Sequence, residues 1–168
     1  MNAPPSDGPL DGPSKRALYR DLEQRVAGLL TGDSDPVATM ANLAAAIHAA
    51  LPYASWTGFY RVVAPELLRV GPFQGEVACV DIPFNRGVCG AAAESGETQL
   101  VAYVHAFPGH IACDAATQSE IVVPLSDAEG RVFAVLDIDS HQRSSFDAVD
   151  REQLEKLAHG FAPHLSAA

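Results

Sequence analysis

Residues 120–140 read EIVVPLSDAEGRVFAVLDIDS and contain the clearest structural pattern of the chain. Glu120–Leu125 and Arg131–Asp137 are short runs rich in branched apolar residues, and a polar turn, Ser126–Gly130, separates them. This pattern is typical of two antiparallel strands joined by a hairpin turn. The stretch therefore predicts the centre of an antiparallel sheet.

Further strands are predicted on the N-terminal side of the hairpin. Residues 55–62 and 67–73 are rich in aromatic and branched side chains and are bounded by proline and glycine, and residues 98–101 form a shorter run of the same kind. Residues 87–94, GVCGAAAE, predict a short helix that ends at a serine and a glycine. Residues 102–118 have no clear period, and because long irregular loops in compact domains are usually functional, this loop is a candidate site.

Helices are predicted at both ends of the chain. The first runs from Ser14 as N-cap to Gly32, and the second begins at Asp35 with a proline in its first turn and ends before Pro52. A closing helix covers residues 146–165, with leucine and phenylalanine recurring on one stripe. Helices around a run of strands with short turns predict an α+β fold.

Size and charge exclude several classes of protein. The chain has 168 residues and a hydrophobic content of 48%, which suits one globular domain, expected over residues 14–168. Residues 1–13 are rich in proline and glycine and predict a disordered tail. The formal net charge of −10 disfavours nucleic-acid binding, since such a surface repels phosphate backbones.

No apolar run approaches the roughly 20 residues of a membrane span, and the N-terminus lacks the pattern of a signal peptide. We therefore expect no membrane association and a cytoplasmic location. In that reducing compartment three cysteines, Cys79, Cys89 and Cys113, are inert, metal-bound or redox-active. Their spacing lacks the Cys-x-x-Cys pair of structural zinc sites, and no glycine-rich phosphate loop occurs, so neither a metal nor a nucleotide cofactor is expected.

Acidic residues complete the candidate chemistry. Asp137 and Asp139 share one face by the period of two along a strand, and Glu120 opens the neighbouring strand. Acidic residues at strand ends are often only solvated, so the three acids remain suggestive on this basis alone. His105 and His110 lie in the irregular loop and are given no catalytic role, because loop histidines are more often surface residues.

Four segments closely resemble the free methionine-(R)-sulfoxide reductases, which are GAF-domain enzymes. They are SWTGFY (55–60), VGPFQGEVACVDIPFNRGVCGAAAESGETQLV (70–101), HIACDAATQSEIVVPL (110–125) and VLDIDS (135–140). The resemblance covers roughly residues 14–165. It implies a GAF-like fold with a six-stranded antiparallel sheet flanked by helices, an enclosed pocket, and a homodimer formed through the outer helices.

The resemblance also implies reduction of free methionine-(R)-sulfoxide, with thioredoxin as the reductant. By analogy, Cys113 is the nucleophile, Cys79 its main resolving partner and Cys89 a third redox thiol; family members differ in whether the cysteine of GVCG or that of IACD attacks. The resemblance further implies that Glu120, Asp137 and Asp139 are carboxyl groups of the pocket. It implies that Trp56 is a wall against the substrate methyl group and that Tyr60 is another lining residue.

Elementary chemistry fits these roles. The departing sulfoxide oxygen needs a proton, and carboxyl groups that share a cavity raise each other's proton affinity. The resemblance, together with the need for one protonated and one ionised group, implies that Asp139 and Glu120 handle the sulfoxide oxygen and that Asp137 binds the substrate ammonium. Two other readings stay open: a ligand-sensing GAF module whose thiols are incidental, and a thiol redox sensor with no small substrate.

Overall fold

The computed structural model describes residues 10–30, 35–111 and 113–166. Its helices are α1 (Gly12–Leu29), α2 (Pro36–Ala50), α3 (Gly87–Ser95) and α4 (Ala148–Leu165), with a short 3₁₀ turn at Val104–Ala106. Its strands are β1 (Trp56–Ala64), β2 (Leu67–Gln74), β3 (Asp81–Pro83), β4 (Gln99–Val101), β5 (Ser119–Ser126) and β6 (Val132–Ser140).

The six strands form one sheet in the order β3-β2-β1-β6-β5-β4, and every neighbouring pair is antiparallel. The predicted hairpin is the β5–β6 pair, and it lies near the centre of the sheet. The α+β class and the six-stranded antiparallel sheet implied by the resemblance are both confirmed. The β1–β2 and β5–β6 pairs are antiparallel because their turns are short, whereas a parallel neighbour would need a long crossover connection.

Alternate residues of the central strands pack into two separate cores. On one face, residues such as Phe59, Ile121 and Leu136 pack against α1, α2 and α4. On the other face, Tyr60, Val122 and Val135 pack against α3 and the long connections. Because the side-chain period of a strand is two, both cores draw on the same three strands.

The N-terminal boundary differs from the prediction. Helix α1 begins at Gly12, with Asp11 rather than Ser14 as its N-cap, and the Asp11 side chain accepts a hydrogen bond from the Ser14 backbone N–H at 2.9 Å. Pro13 fits the first helical turn, where its missing N–H costs nothing, so Gly12 and Pro13 belong to the helix and not to the predicted tail. Residues 1–9 of that tail and the predicted helix end at Gly32 lie outside the described residues.

Other boundaries moved by a few residues, and one strand was missed. Strand β6 extends to Ser140, so that both Asp137 and Asp139 lie within it. Helix α4 begins after Asp147, which forms a capping box with Asp150. Strand β3 has only three residues, of which Ile82 alone is buried, and so few residues cannot display a period.

A buried ion network, which had no sequence signal, joins α1 to α4. Lys15 is 1% exposed, and its ammonium forms ion pairs with Asp147 and Asp150 and donates to the Ser145 carbonyl oxygen at 3.1 Å. Tyr19 donates a further hydrogen bond to Asp150 at 2.9 Å. Within the described ranges, no helix combines the length and the apolar content needed to cross a bilayer.

Candidate active site

The register of the central strands brings the acidic residues together. Asp139 on β6 pairs with Glu120 on β5 and, on its other side, with Trp56 on β1. Asp137, two residues earlier on β6, pairs with Gly58. Since alternate residues share a face, all these positions belong to the side of the sheet that α3 covers.

Trp56 is a fixed wall of this side. Its indole N–H donates to the Glu76 carbonyl oxygen at 3.0 Å, and its ring stacks on Phe73 with centroids 5.2 Å apart. The ring lies over Gly58, where an added Cβ would come within 2.5 Å of Trp56 and 2.4 Å of Phe73. The glycine of SWTGFY is therefore required for the indole to lie flat against the sheet.

Helix α3 brings Cys89 to the acids. Cys89 is a free thiol, 3% exposed, with its Sγ 3.9 Å from Glu120 Oε1. The next residue, Gly90, lets the helix approach the chain before it, because a Cβ there would lie 2.5 Å from the Phe84 carbonyl oxygen. Cys89 is thus in a buried helix and not on an accessible loop, unlike the other two cysteines.

A disulfide joins Cys79 to Cys113, with Cα atoms 5.4 Å apart. Cys113 is exposed and lies in the loop before β5, whereas Cys79 is partly buried in the β2–β3 connection. The Tyr60 hydroxyl donates to the Cys79 carbonyl oxygen at 3.1 Å and so anchors this connection to β1. The structure therefore pairs the two cysteines that the resemblance named as nucleophile and resolving partner.

Burial controls the protonation of the acids. The pKa of Glu120 is well above its ordinary value, because burial and then the charges of Asp137 and Asp139 oppose ionisation. Burial, followed by the charges of Asp137 and Asp114, likewise raises the pKa of Asp139 well above its usual range. Burial raises the pKa of Asp137 only to about 6, because hydrogen bonds with Cys89 and Glu120 favour its ionised form. Asp137 is thus the first of the three to ionise.

The thiol of Cys89 is held protonated. Burial raises its pKa well above the ordinary value, and the neighbouring charges of Asp137 and Glu120 add to the effect. A thiolate is the reactive form of cysteine, so this environment suppresses the nucleophilicity of Cys89.

Seventeen residues line one cavity: Trp56, Tyr60, Glu76, Val77, Ala78, Ile82, Gly87, Val88, Cys89, His110, Ile111, Cys113, Asp114, Thr117, Glu120, Asp137 and Asp139. Seven of the eight predicted site residues are among them. The eighth, Cys79, is linked to the cavity by its bond to Cys113. The structure therefore brings the whole predicted set together.

Sequence reasoning missed two polar groups of the cavity. Within the described part of the chain, His110 Nε2, Thr117 Oγ1 and Asp137 Oδ1 are buried atoms without a hydrogen-bond partner. His110 is also the one basic side chain among the lining residues that the structure describes. Its position directly before the IACD segment was visible in the sequence, but nothing there indicated burial. Buried polar atoms without partners are unusual in folded proteins and are typical of places where a ligand binds.

The thiol–carboxyl cluster also has the donor atoms of a cation site. The Cys89 Sγ and one oxygen each of Glu120 and Asp137 lie within 4.8 Å of one another. Thiolate and carboxylate ligands suit zinc, although a structural zinc site usually has four protein ligands. The same carboxylates can equally receive an ammonium group.

Comparisons with known proteins agree on one family. A model of the GAF domain matches residues 33–166. The free methionine-R-sulfoxide reductase of Escherichia coli is 42% identical to this chain over 144 residues, covering 86% of each. That of Saccharomyces cerevisiae is 45% identical over 151 residues, covering 86% of this chain and 84% of the yeast protein. The chain belongs to the free methionine-R-sulfoxide reductase family of GAF-domain proteins.

Solved structures of this reductase family have the same fold. The crystal structure of free methionine-R-sulfoxide reductase from Neisseria meningitidis, in complex with its substrate, superposes with a TM-score of 0.83 at 39% identity. The match covers 99% of this chain and 97% of that one. The family resemblance seen in the sequence is thereby confirmed.

Proposed function

We propose that this protein reduces free methionine-(R)-sulfoxide to methionine. The observation that carries the proposal is a single cavity in which the Cys79–Cys113 disulfide adjoins three buried carboxyl groups and an indole wall. Reduction of a sulfoxide by a thiol needs a nucleophilic sulfur, a proton for the departing oxygen, and a site for the substrate's apolar end. The cavity contains a group for each.

Glu120 and Asp139 are the proposed proton donors. The raised pKa of each means that the carboxyl group keeps its proton to a higher pH than an ordinary carboxyl does. A protonated carboxyl donates a hydrogen bond to the sulfoxide oxygen and increases the electrophilic character of the sulfur. Trp56 supports the stereochemistry, because the (R) form can direct its oxygen at the acids while its methyl group contacts the indole.

Asp137 is the proposed partner of the substrate ammonium. With a pKa of about 6 it is ionised at neutral pH, and its Oδ1 has no partner among the described residues. A methionine sulfoxide within a protein has no ammonium, which would leave this buried carboxylate uncompensated. His110 Nε2, Thr117 Oγ1 and backbone N–H groups of the loop 110–114 are the proposed donors for the substrate carboxylate.

In the first step the Cys113 thiol attacks the sulfoxide sulfur, and oxygen transfer leaves a sulfenic acid on Cys113 and free methionine. The Cys79 thiol then condenses with the sulfenic acid, which forms the disulfide and releases water. Thioredoxin supplies two electrons to restore both thiols, and we propose the cytoplasm as the compartment for this cycle. Cys89 is assigned as a third redox thiol, and a homodimer through the outer helices as the assembly.

The test is an assay of the reduced protein with dithiothreitol and each diastereomer of free methionine sulfoxide, with methionine measured by chromatography. We expect turnover of the (R) form alone, and poor reduction of N-acetylmethionine sulfoxide, which has no ammonium. Absence of methionine from the (R) form would overturn the proposal and favour a sensor. Equal efficiency on the acetylated compound would overturn the role of Asp137.

A further inference from the structure

Two exposed valines flank Cys79. Val77 is 85% exposed and Val80 is 62% exposed, which makes them the most exposed of the large hydrophobic residues that the structure describes. They belong to the segment VACV, and so lie on either side of one half of the disulfide. Scattered exposed apolar residues are ordinary, but a pair at a redox-active bond needs an explanation.

The two acids that flank the VACV segment, Glu76 and Asp81, differ in their pairing. Asp81, next to Val80, forms a bidentate ion pair with Arg69, with N···O distances of 2.7 and 3.0 Å. Glu76, next to Val77, has no ion pair among the described residues, and Asp114, next to Cys113, lies at hydrogen-bond distance, 2.8 Å, from the His141 ring. The disulfide therefore lies beside two exposed apolar side chains, and on the Val80 side the adjacent acid is neutralised by an arginine.

We propose that Val77 and Val80 form the docking surface for a dithiol protein of the thioredoxin type, which reduces the Cys79–Cys113 bond. The proposal rests on the proposed function, since a catalytic disulfide must be reduced in each cycle. An apolar partner surface would bury both valines, and on the Val80 side it would meet an acid that Arg69 already neutralises. A dithiol protein is the expected partner at this surface, because the disulfide beside the valines is the bond that such a protein reduces.

Reduction of the Cys79–Cys113 disulfide by the dithiol protein takes two steps. A thiolate of the reductant attacks the sulfur of exposed Cys113, which forms a mixed disulfide and releases Cys79 as a thiolate. The second thiolate of the reductant then attacks the reductant's own sulfur in the mixed disulfide, and Cys113 leaves as a thiolate. Two electrons pass from the dithiol to the protein. A small thiol performs the same chemistry without contacting the valines.

That difference provides the test. The rate of reduction of the oxidised protein is measured once with thioredoxin and its NADPH-dependent reductase, and once with dithiothreitol alone. Val80→Ser is the variant, since Val80 lies outside the cavity, and Val63→Ser, at a valine 42% exposed on β1, is the matched control. We expect Val80→Ser to lower the second-order rate constant for thioredoxin about fivefold, as the loss of one buried valine predicts, with the dithiothreitol rate unchanged. Val63→Ser should change neither rate.

Three results would overturn the docking surface. The first is an unchanged thioredoxin rate in Val80→Ser, and the second is an equal loss with dithiothreitol, which would indicate a local disturbance of the disulfide. The third is a shift in oligomeric state by light scattering in Val80→Ser, which would make the valines a contact between copies of this chain. None of these depends on methionine sulfoxide, so failure here is distinguishable from failure of the reductase assay.

Discussion

Cys113 and Cys89 have opposite environments at the edge of one cavity. Cys113 is exposed, whereas Cys89 is surrounded by carboxyl groups that raise the pKa of its thiol. Because the thiolate is the nucleophile, this contrast supports Cys113 as the attacking residue and leaves Cys89 the weaker candidate.

Single-turnover experiments separate the roles of the cysteines. Cys113→Ser should release no methionine, because it lacks the attacking sulfur. Cys79→Ser should release about one equivalent, since it can still form the sulfenic acid, but it should cycle poorly with thioredoxin. Rapid quench followed by chromatography measures both. If Cys113→Ser gave the burst and Cys89→Ser did not, the nucleophile would be Cys89.

Substrate affinity should depend on pH through Asp137. The carboxylate binds the ammonium when ionised, so affinity is present above the pKa of about 6 and is lost as the pH falls below it. We expect the dissociation constant to rise up to about tenfold per pH unit below that value. Trp56 is the only tryptophan of the chain and lines the cavity, so its fluorescence reports binding. The inactive Cys113→Ser protein, titrated with methionine-(R)-sulfoxide between about pH 5 and 8, provides the measurement.

Two amide variants are the controls for this titration. Asp137→Asn, made in the Cys113→Ser background, should bind weakly and without dependence on pH. Asp139→Asn with Cys113 intact should bind normally but lose the single-turnover rate, because an amide cannot deliver a proton. The opposite pattern would exchange the roles of the two aspartates.

At the scale of the elements, buried hydrogen bonds join the N-terminal helix to the strand ends that carry the acids. Lys15 on α1 donates to the Ser145 carbonyl oxygen, and the Ser145 hydroxyl lies 2.7 Å from that of Ser140, the residue after Asp139. The Ser145 N–H in turn donates to the hydroxyl of Ser119, the residue before Glu120, at 3.3 Å. The network therefore fixes from the helical face the two strand ends whose acids face the cavity.

Lys15→Met should test the strength of this link. The variant leaves Asp150 buried without its cation, so we expect the free energy of unfolding to fall by about 3 kcal/mol. Arg16→Met is the matched control, because Arg16 forms an exposed pair with Glu152 at 3.1 Å and should contribute less than about 1 kcal/mol. Urea denaturation measures both variants, and equal losses would contradict the contribution assigned to the buried pair.

The sequence predicted best those elements in which a periodic apolar pattern continues over many residues or a distinct cap marks the start. Helix α2 has a periodic apolar face and a distinct cap, Asp35 followed by a proline. The β5–β6 hairpin has two alternating runs around a polar turn. Strand β3 was too short to predict, and Lys15 was missed because a lysine in an amphipathic helix is normally exposed. The cysteines and acids were candidates from the residues alone, and their roles came from the family resemblance. The burial of His110 Nε2 depends on long-range packing that no local pattern encodes.

At the scale of the whole molecule, the cavity reduces the stability of the fold at neutral pH. Asp139 has a raised pKa in the folded state, so the fold favours its protonated form. The stability associated with that proton is fully present below the pKa of the unfolded chain and is lost as the pH rises toward the folded value. A buried carboxyl group that suits the cavity to proton donation thus opposes folding as the pH rises.

Asp139→Asn should therefore be more stable than the natural chain at high pH. The asparagine cannot ionise, so the difference in the free energy of unfolding should grow between about pH 5 and 8, by at most about 1.4 kcal/mol per pH unit. Urea titrations of both proteins across this range provide the measurement. A difference that stayed constant with pH would mean that Asp139 ionises as readily in the folded protein as in the unfolded chain.

The side chains of β6 alternate between the two faces of the sheet, so the fold of the whole molecule depends on the number of residues in this strand. Leu136 and Ile138 belong to the helical core, while Asp137 and Asp139 line the cavity. One residue gained or lost within the strand would exchange the two faces, so that carboxyl groups would enter the helical core and aliphatic side chains the cavity. A gain of two residues would restore the phase, and a change in the turn Asp127–Gly130 would leave it intact. Length variation in such a protein is therefore confined to its turns, or to even steps within its strands.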